Sequence, residues 1–190
     1  MPKLSFSFQP SEYSHDHQAR VLIDGVDILA DIEKGALGID PVEFFAQEAL
    51  RSQGALLIGR CECGCVGCGD VTVSVKRIGE AIEWHTEYQW IAKLVFEPDE
   101  YERSIQTGAS DFSWENVERT AERLVSKLDY SPLAKAGLIF QWASGRIEKD
   151  KISLSFSRRN QQELIHAPWD HRDPSTAVTA AQELLSTWQQ

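Results

Sequence analysis

The sequence predicts an α+β fold: an antiparallel, strand-rich meander with helices packed on one face or end. Three observations predict it. Apolar residues alternate at period two through much of the first hundred positions. Turn residues break these runs at short intervals. Proline-led segments behind a capping carboxylate then carry apolar residues at helical spacing.

In order, Leu4, Phe6 and Phe8 mark a first strand, and Val21 to Ile28 reads as a hairpin turning at Asp24-Gly25. Asp40-Pro41 supplies a cap and first-turn proline for a helix through Val42, Phe44, Phe45, Ala49 and Leu50. Strand signals return at Ala55 to Ile58, Val71 to Val75, Ala81 to His85 and Ile91 to Phe96, joined by short turns as in a meander. The acidic stretch Glu97 to Glu102 opens a short helix. Ser113 is the expected cap of a longer one, whose stripe is Val117, Ala121, Leu124, Val125 and Leu128. Strands follow at Leu138 to Trp142, Ile152 to Phe156 and Glu163 to His166. Asp173-Pro174 then starts a final helix with Ala177, Ala180, Ala181, Leu184, Leu185 and Trp188 on its buried side. Lys3 to Phe8 and Lys151 to Phe156 look alike, but their flanks do not repeat, so shared strand alternation accounts for the likeness.

A chain of 190 residues with 42% apolar and 25% charged side chains, six Trp and eight Phe can bury a core without staples. A single α+β domain over 1–190 is expected, with a weak subdivision near 97–112. The opening Met1 to Phe8 alternates where a signal peptide would be continuously apolar, and no run approaches membrane-spanning length, so a cytoplasmic protein is expected. The 29 acidic side chains against 19 basic give −10, with −6 over 1–95 and −4 over 96–190. That sign repels phosphate backbones and disfavours nucleic acid as a partner. It suits a basic protein, and it also simply aids solubility.

All four cysteines fall within Cys61-Glu62-Cys63-Gly64-Cys65-Val66-Gly67-Cys68, between two predicted strands and therefore at a hairpin tip where Gly64, Gly67 and Gly69 can take positive φ. Four thiols this close can chelate a soft metal, form a small disulfide knot or stay reduced as turn filler. Structural zinc needs four soft ligands at about 2.3 Å. Cys61, Cys63, Cys65 and Cys68 are the candidates, with His85 able to replace one thiol. Cys65-Val66-Gly67-Cys68 has knuckle spacing. It leads into more strand and not into a helix, which argues against a thioredoxin-like redox pair.

Gly59-Arg60-Cys61-x-Cys63-Gly64-x-x-Gly67-Cys68, followed by alternating valines and Trp84, resembles segments of uncharacterised bacterial proteins with a CxCGxxGC hairpin. The likeness covers about 25 to 30 of the 190 residues and implies no activity, and Cys65 is additional to the pattern.

His15 and His17, with Glu12 nearby, could chelate from a strand, against the alternative of a solvated loop. His171-Arg172-Asp173 echoes a kinase catalytic loop in letters only, and helix capping by Asp173 explains it better; His166 reads as a half-buried strand histidine. There is no Gly-x-Ser-x-Gly elbow, Walker loop, His-Glu-x-x-His or dinucleotide fingerprint, so no catalytic residue is assigned.

The resulting expectation is an acidic binding protein that masks a basic partner, with an immunity protein neutralising a cationic nuclease toxin as its concrete form. Its surface would use Glu83, Glu87, Glu97, Asp99, Glu100 and Glu102 beside aromatic anchors among Trp84, Tyr88, Trp90 and Tyr101, against the alternative that at least half of these aromatics are sheet core. The alternatives are a zinc-dependent enzyme using the cysteine or His15/His17 region, and a zinc-stapled structural protein.

Overall fold

Phe6 faces Val21 and Phe8 faces Ala19 across the first strand pair, so the alternation read in the sequence becomes one apolar face. The computed structural model describes residues 1–11, 17–30, 32, 36–61, 63, 67–86 and 93–187. Their contacts divide the chain into two compact units, Met1–Trp114 and Glu115–Gln190, each with its own apolar core. All described strand pairings are antiparallel, and the class is α+β, as the sequence predicts.

In the N-terminal unit, β1 (Leu4–Pro10), β2 (His17–Ile23) and β3 (Val26–Asp27) form one sheet. The β2–β3 turn falls at Asp24-Gly25, with φ of 51° and 82°, the primed geometry that matches strand twist. A second sheet is the meander β4 (Ala36–Gly38), β5 (Gly54–Cys61), β6 (Val71–Ile78), β7 (Ala81–His85) and β8 (Lys93–Phe96) in sequence order. Its first strand, three residues long, is too short to show a period in the sequence.

The helix α1 (Pro41–Ala46) begins where expected, Asp40 Oδ1 accepting from the Val42 and Glu43 amides; a 3-10 turn follows over Glu48–Leu50. The helix α2 (Pro98–Ser110) is longer than its acidic opening suggests, and presents Tyr101, Ile105 and Gly108 to the core at i, i+4 and i+7. Gly108 is required by that approach, since a Cβ there would stand 2.6 Å from Phe45 and from Phe6. Trp84, fully buried, packs on Phe96 at 5.4 Å and donates from Nε1 to the Tyr101 hydroxyl at 3.3 Å.

The C-terminal unit holds α3 (Val117–Ser126), α4 (Ser131–Lys135), β9 (Ile139–Ser144), β10 (Lys151–Arg158), β11 (Gln161–Pro168) and α5 (Pro174–Thr187), with sheet order β11-β10-β9. The central β10 is buried on both faces. Ile152, Leu154 and Phe156 join the core with Ala121, Val125, Ala177 and Ala181, while buried Ser153 and Ser155 bond to His166 Nδ1 and from Gln162 Nε2.

The cap of α3 differs from expectation. Asn116, not Ser113, accepts from the Arg119 amide, because the chain turns again at 113–114 before the helix begins. The stripe differs too: Val117 is exposed and Glu122 is buried. Glu122 Oε1 accepts from Ser144 Oγ and the Gly145 amide at 3.0 Å each, and its carboxylate pairs with Arg119 and Arg146. Asp173 caps α5 through the Ser175 amide at 2.8 Å. Among the described residues, no helix is long and apolar enough to cross a membrane.

Candidate metal centre

The geometry of the cysteine hairpin starts in the strand before it. Pairing of β5 with β6 shifts register between Leu57 and Gly59, after which β5 runs on with β4 as partner, Cys61 opposite Ala36. The extension carries Cys61 past Val71, the first residue of β6, and fixes its backbone on a ladder instead of in a free loop. On the return, Gly67 and Gly69 take φ of 79° and 108°. Gly69 also passes close to the first cysteine, where a Cβ would lie 3.3 Å from Cys61 Cβ. The Gly67 amide donates to Asp70 Oδ2 at 3.2 Å, closing the loop on the residue that begins the return.

The sulfurs of Cys61, Cys63 and Cys68 all lie within 4.8 Å of one another. Thiolates about 2.3 Å from a zinc ion stand about 3.8 Å apart at tetrahedral corners, so closing on a metal requires Cys61 and Cys63, whose sulfurs are 2.7 Å apart, to separate by about 1 Å. Cys61 and Cys63 share a hydrogen bond at 2.7 Å. That bond, with a smaller contribution from desolvation, raises the Cys61 thiol above its ordinary value and holds it neutral. A bound cation reverses this preference by deprotonating its ligands. The three cysteines are therefore close enough to bind a metal ion. Cys65, the fourth candidate, lies outside the described residues.

His85 is not part of this group. Its Nε2 meets Glu83 Oε2 at 2.8 Å, and Lys93 Nζ meets Glu83 Oε1 at 2.7 Å. The Lys93 hydrogen bond first, and that of His85 second, hold the Glu83 carboxyl below the usual carboxylate range. Glu83 is thus nearly enclosed and already paired. The sequence reading missed the pair that brackets the hairpin: Arg60 Nε stands 3.8 Å from Asp70 Oδ1, and each side chain is about three-quarters buried. Opposite charges immediately before Cys61 and shortly after Cys68 were the available signal.

Burial decides two of the candidate aromatic anchors in favour of the sheet-core alternative. Tyr101 and Trp84 are 1% and 0% exposed, because both face the core between α2 and the meander. Neither can touch a partner. Asp99, Glu100 and Glu102 do lie exposed on α2, Glu102 pairing with Arg77 at 3.0 Å. Glu87, Tyr88 and Trp90 lie outside the described residues, as do Glu12 and His15. His17 sits on β2 with its ring 5.6 Å from that of Trp114. In the C-terminal unit, His171 stacks on Trp169 at 4.3 Å and His166 is held by Ser153, so the structure gives both a packing role.

Charge is distributed unevenly between the units. Met1–Trp114 holds 19 acidic and 9 basic side chains, the whole net −10, whereas Glu115–Gln190 holds 10 of each. Comparison with protein-family models, curated proteins and solved structures finds no match for this chain.

Proposed function

We propose that this protein is a zinc-stapled binding module, with the metal a structural ion at the tip of the β5–β6 hairpin. The observation that carries the reading is the convergence within 4.8 Å of three thiol sulfurs, one on the last residue of β5 and two on the nine-residue loop that follows it. Cys65 is the residue of the same loop that would fill the fourth corner, and the closed shell suits a staple more than a catalyst. Metal–thiolate bonds would supply order to such a hairpin tip. The test is titration of the reduced, metal-free protein with cobalt(II) and then zinc, with mass measured under native conditions. One ion per chain, tetrahedral thiolate absorption and loss of both in Cys61→Ser and Cys68→Ser are expected. A protein that stays metal-free at stoichiometric zinc overturns the reading.

A second reading concerns what the module binds. Segregation of the entire −10 into the N-terminal unit favours a basic protein as partner, since a concentrated field steers association more than the same charge spread evenly. An immunity protein that neutralises a cationic nuclease is one form of it, with Asp99, Glu100 and Glu102 at the contact. Native mass spectrometry of the protein recovered at low salt from its own cells is expected to show a stoichiometric basic polypeptide. A bare monomer counts against this reading and leaves the metal staple untouched.

A further inference from the structure

A cavity of about 490 Å³ opens in the N-terminal unit where α2, the 3-10 turn and β6 meet, a size within the range that small-molecule sites occupy. Buried Leu50 and Ile105, with Ala109, give it an apolar floor, and Arg51, Arg77 and Glu102 supply the charged groups of its lining. Both guanidiniums are anchored to main-chain carbonyls, one in α1 and one just after the 3-10 turn: Arg51 Nη1 donates to Phe45 O at 2.9 Å and Arg77 Nε to Ser52 O at 3.3 Å. These bonds orient the two forks and leave most of their five N–H donors each for another acceptor. At present Arg77 spends one on Glu102, a carboxylate that is 59% exposed and free to swing away.

The local charge runs against that of its surroundings. Two cations and one anion line this cavity, a net +1, inside a unit that carries −10. A polyanion would be repelled by that wider field, whereas a single carboxylate matches both the local charge and the planar donor geometry of arginine. The apolar floor asks in turn for an uncharged body behind the carboxylate.

We propose that this cavity is a binding site for a small apolar monocarboxylate, its body over Leu50, Ile105 and Ala109 and its carboxylate on Arg51 and Arg77 in place of Glu102. The proposal shares no residue with the cysteine hairpin and goes beyond the metal and partner readings.

Isothermal titration of the full-length protein with 2-naphthoate tests it, with 2-naphthylmethanol as the uncharged control. One site per chain is expected, with the alcohol at least tenfold weaker. Arg77→Gln is expected to weaken naphthoate at least tenfold, and Ala109→Phe, which fills the floor, to abolish binding. Glu102→Gln removes the internal competitor and is expected to tighten binding severalfold. Because Glu102 is exposed, that variant folds as the parent does, and its sign separates a built site from general adhesion to apolar surface. Absence of saturable binding, equal affinity for the alcohol, or unchanged affinity in Glu102→Gln overturns the proposal.

Discussion

Tyr101 shows how one buried polar atom ties stability to pH. Burial pushes its phenol up to about 12, with the hydrogen bond from Trp84 opposing the rise only in part. Because the folded value lies above the unfolded one near 10, this contribution is complete below pH 10 and is lost as the pH climbs from 10 to 12. At about 1.4 kcal/mol for each pH unit, that span is worth about 3 kcal/mol. In Tyr101→Phe the Trp84 N–H is left unsatisfied, costing about 1 to 2 kcal/mol at pH 7, while the alkaline loss between pH 10 and 12 shrinks. Urea unfolding followed by tryptophan fluorescence at pH 7, 10 and 12 reads both effects; equal alkaline losses in the two proteins would remove Tyr101 as the cause. Glu122 sets a different balance. Its carboxylate answers Ser144, the Gly145 amide, Arg119 and Arg146, so Glu122→Ala breaks a buried hydrogen-bonded ion-pair network and leaves the Ser144 hydroxyl and the Gly145 amide without this acceptor. A loss of about 3 kcal/mol is expected in the thermal unfolding of the C-terminal unit.

At the scale of elements, the sequence was informative wherever the determining contact is local. The alternation in β1, the Asp24-Gly25 turn, the Asp40 and Asp173 caps and the meander all follow from residues within a few positions of one another. What was not legible depends on partners far along the chain. Trp84 and Tyr101 are seventeen residues apart and are buried by each other. Glu122 can sit inside only because Ser144 and Arg146 arrive from β9 and the turn after it. Ser113 and Asn116 are equally good caps in isolation, and where the preceding turn ends decides between them. The cysteine cluster was legible as a cluster, but the convergence of Cys61 with Cys68 rests on the register shift that carries β5 past β6 and on the return through Gly69. Gly69→Ala tests that return. A side chain at φ 108° is strained and would crowd Cys61, which is expected to cost about 1 to 3 kcal/mol and to weaken cobalt(II) binding about tenfold or more. Unchanged metal affinity would show that the hairpin closes by another route.

For the molecule as a whole, two cores and one charged unit imply that stability and steering are separable. Among the described residues, the segment 115–190 has thirteen buried apolar side chains of its own, and the segment carries no net charge, so produced alone it is expected to unfold cooperatively, as circular dichroism on heating would register. A non-cooperative melt would mean that its core needs the rest of the chain. Under the proposed binding of a basic partner, steering would belong to the other unit, which carries the net charge. Reversing Asp99, Glu100 and Glu102 to lysine moves Met1–Trp114 from −10 to −4, since each reversal changes the charge by two. Two of these carboxylates also lie in the first turn of α2 and favour its dipole, at about 0.3 to 1 kcal/mol each, so the fold of the variant is checked before its kinetics. Association of the full chain with a cationic test protein is then expected to slow by about tenfold at low ionic strength. In 1 M salt the screening length falls to about 3 Å and the two rates should converge. A deficit that persists in high salt would mean that the lysines block a contact directly, and equal rates at low salt would place the steering field away from α2.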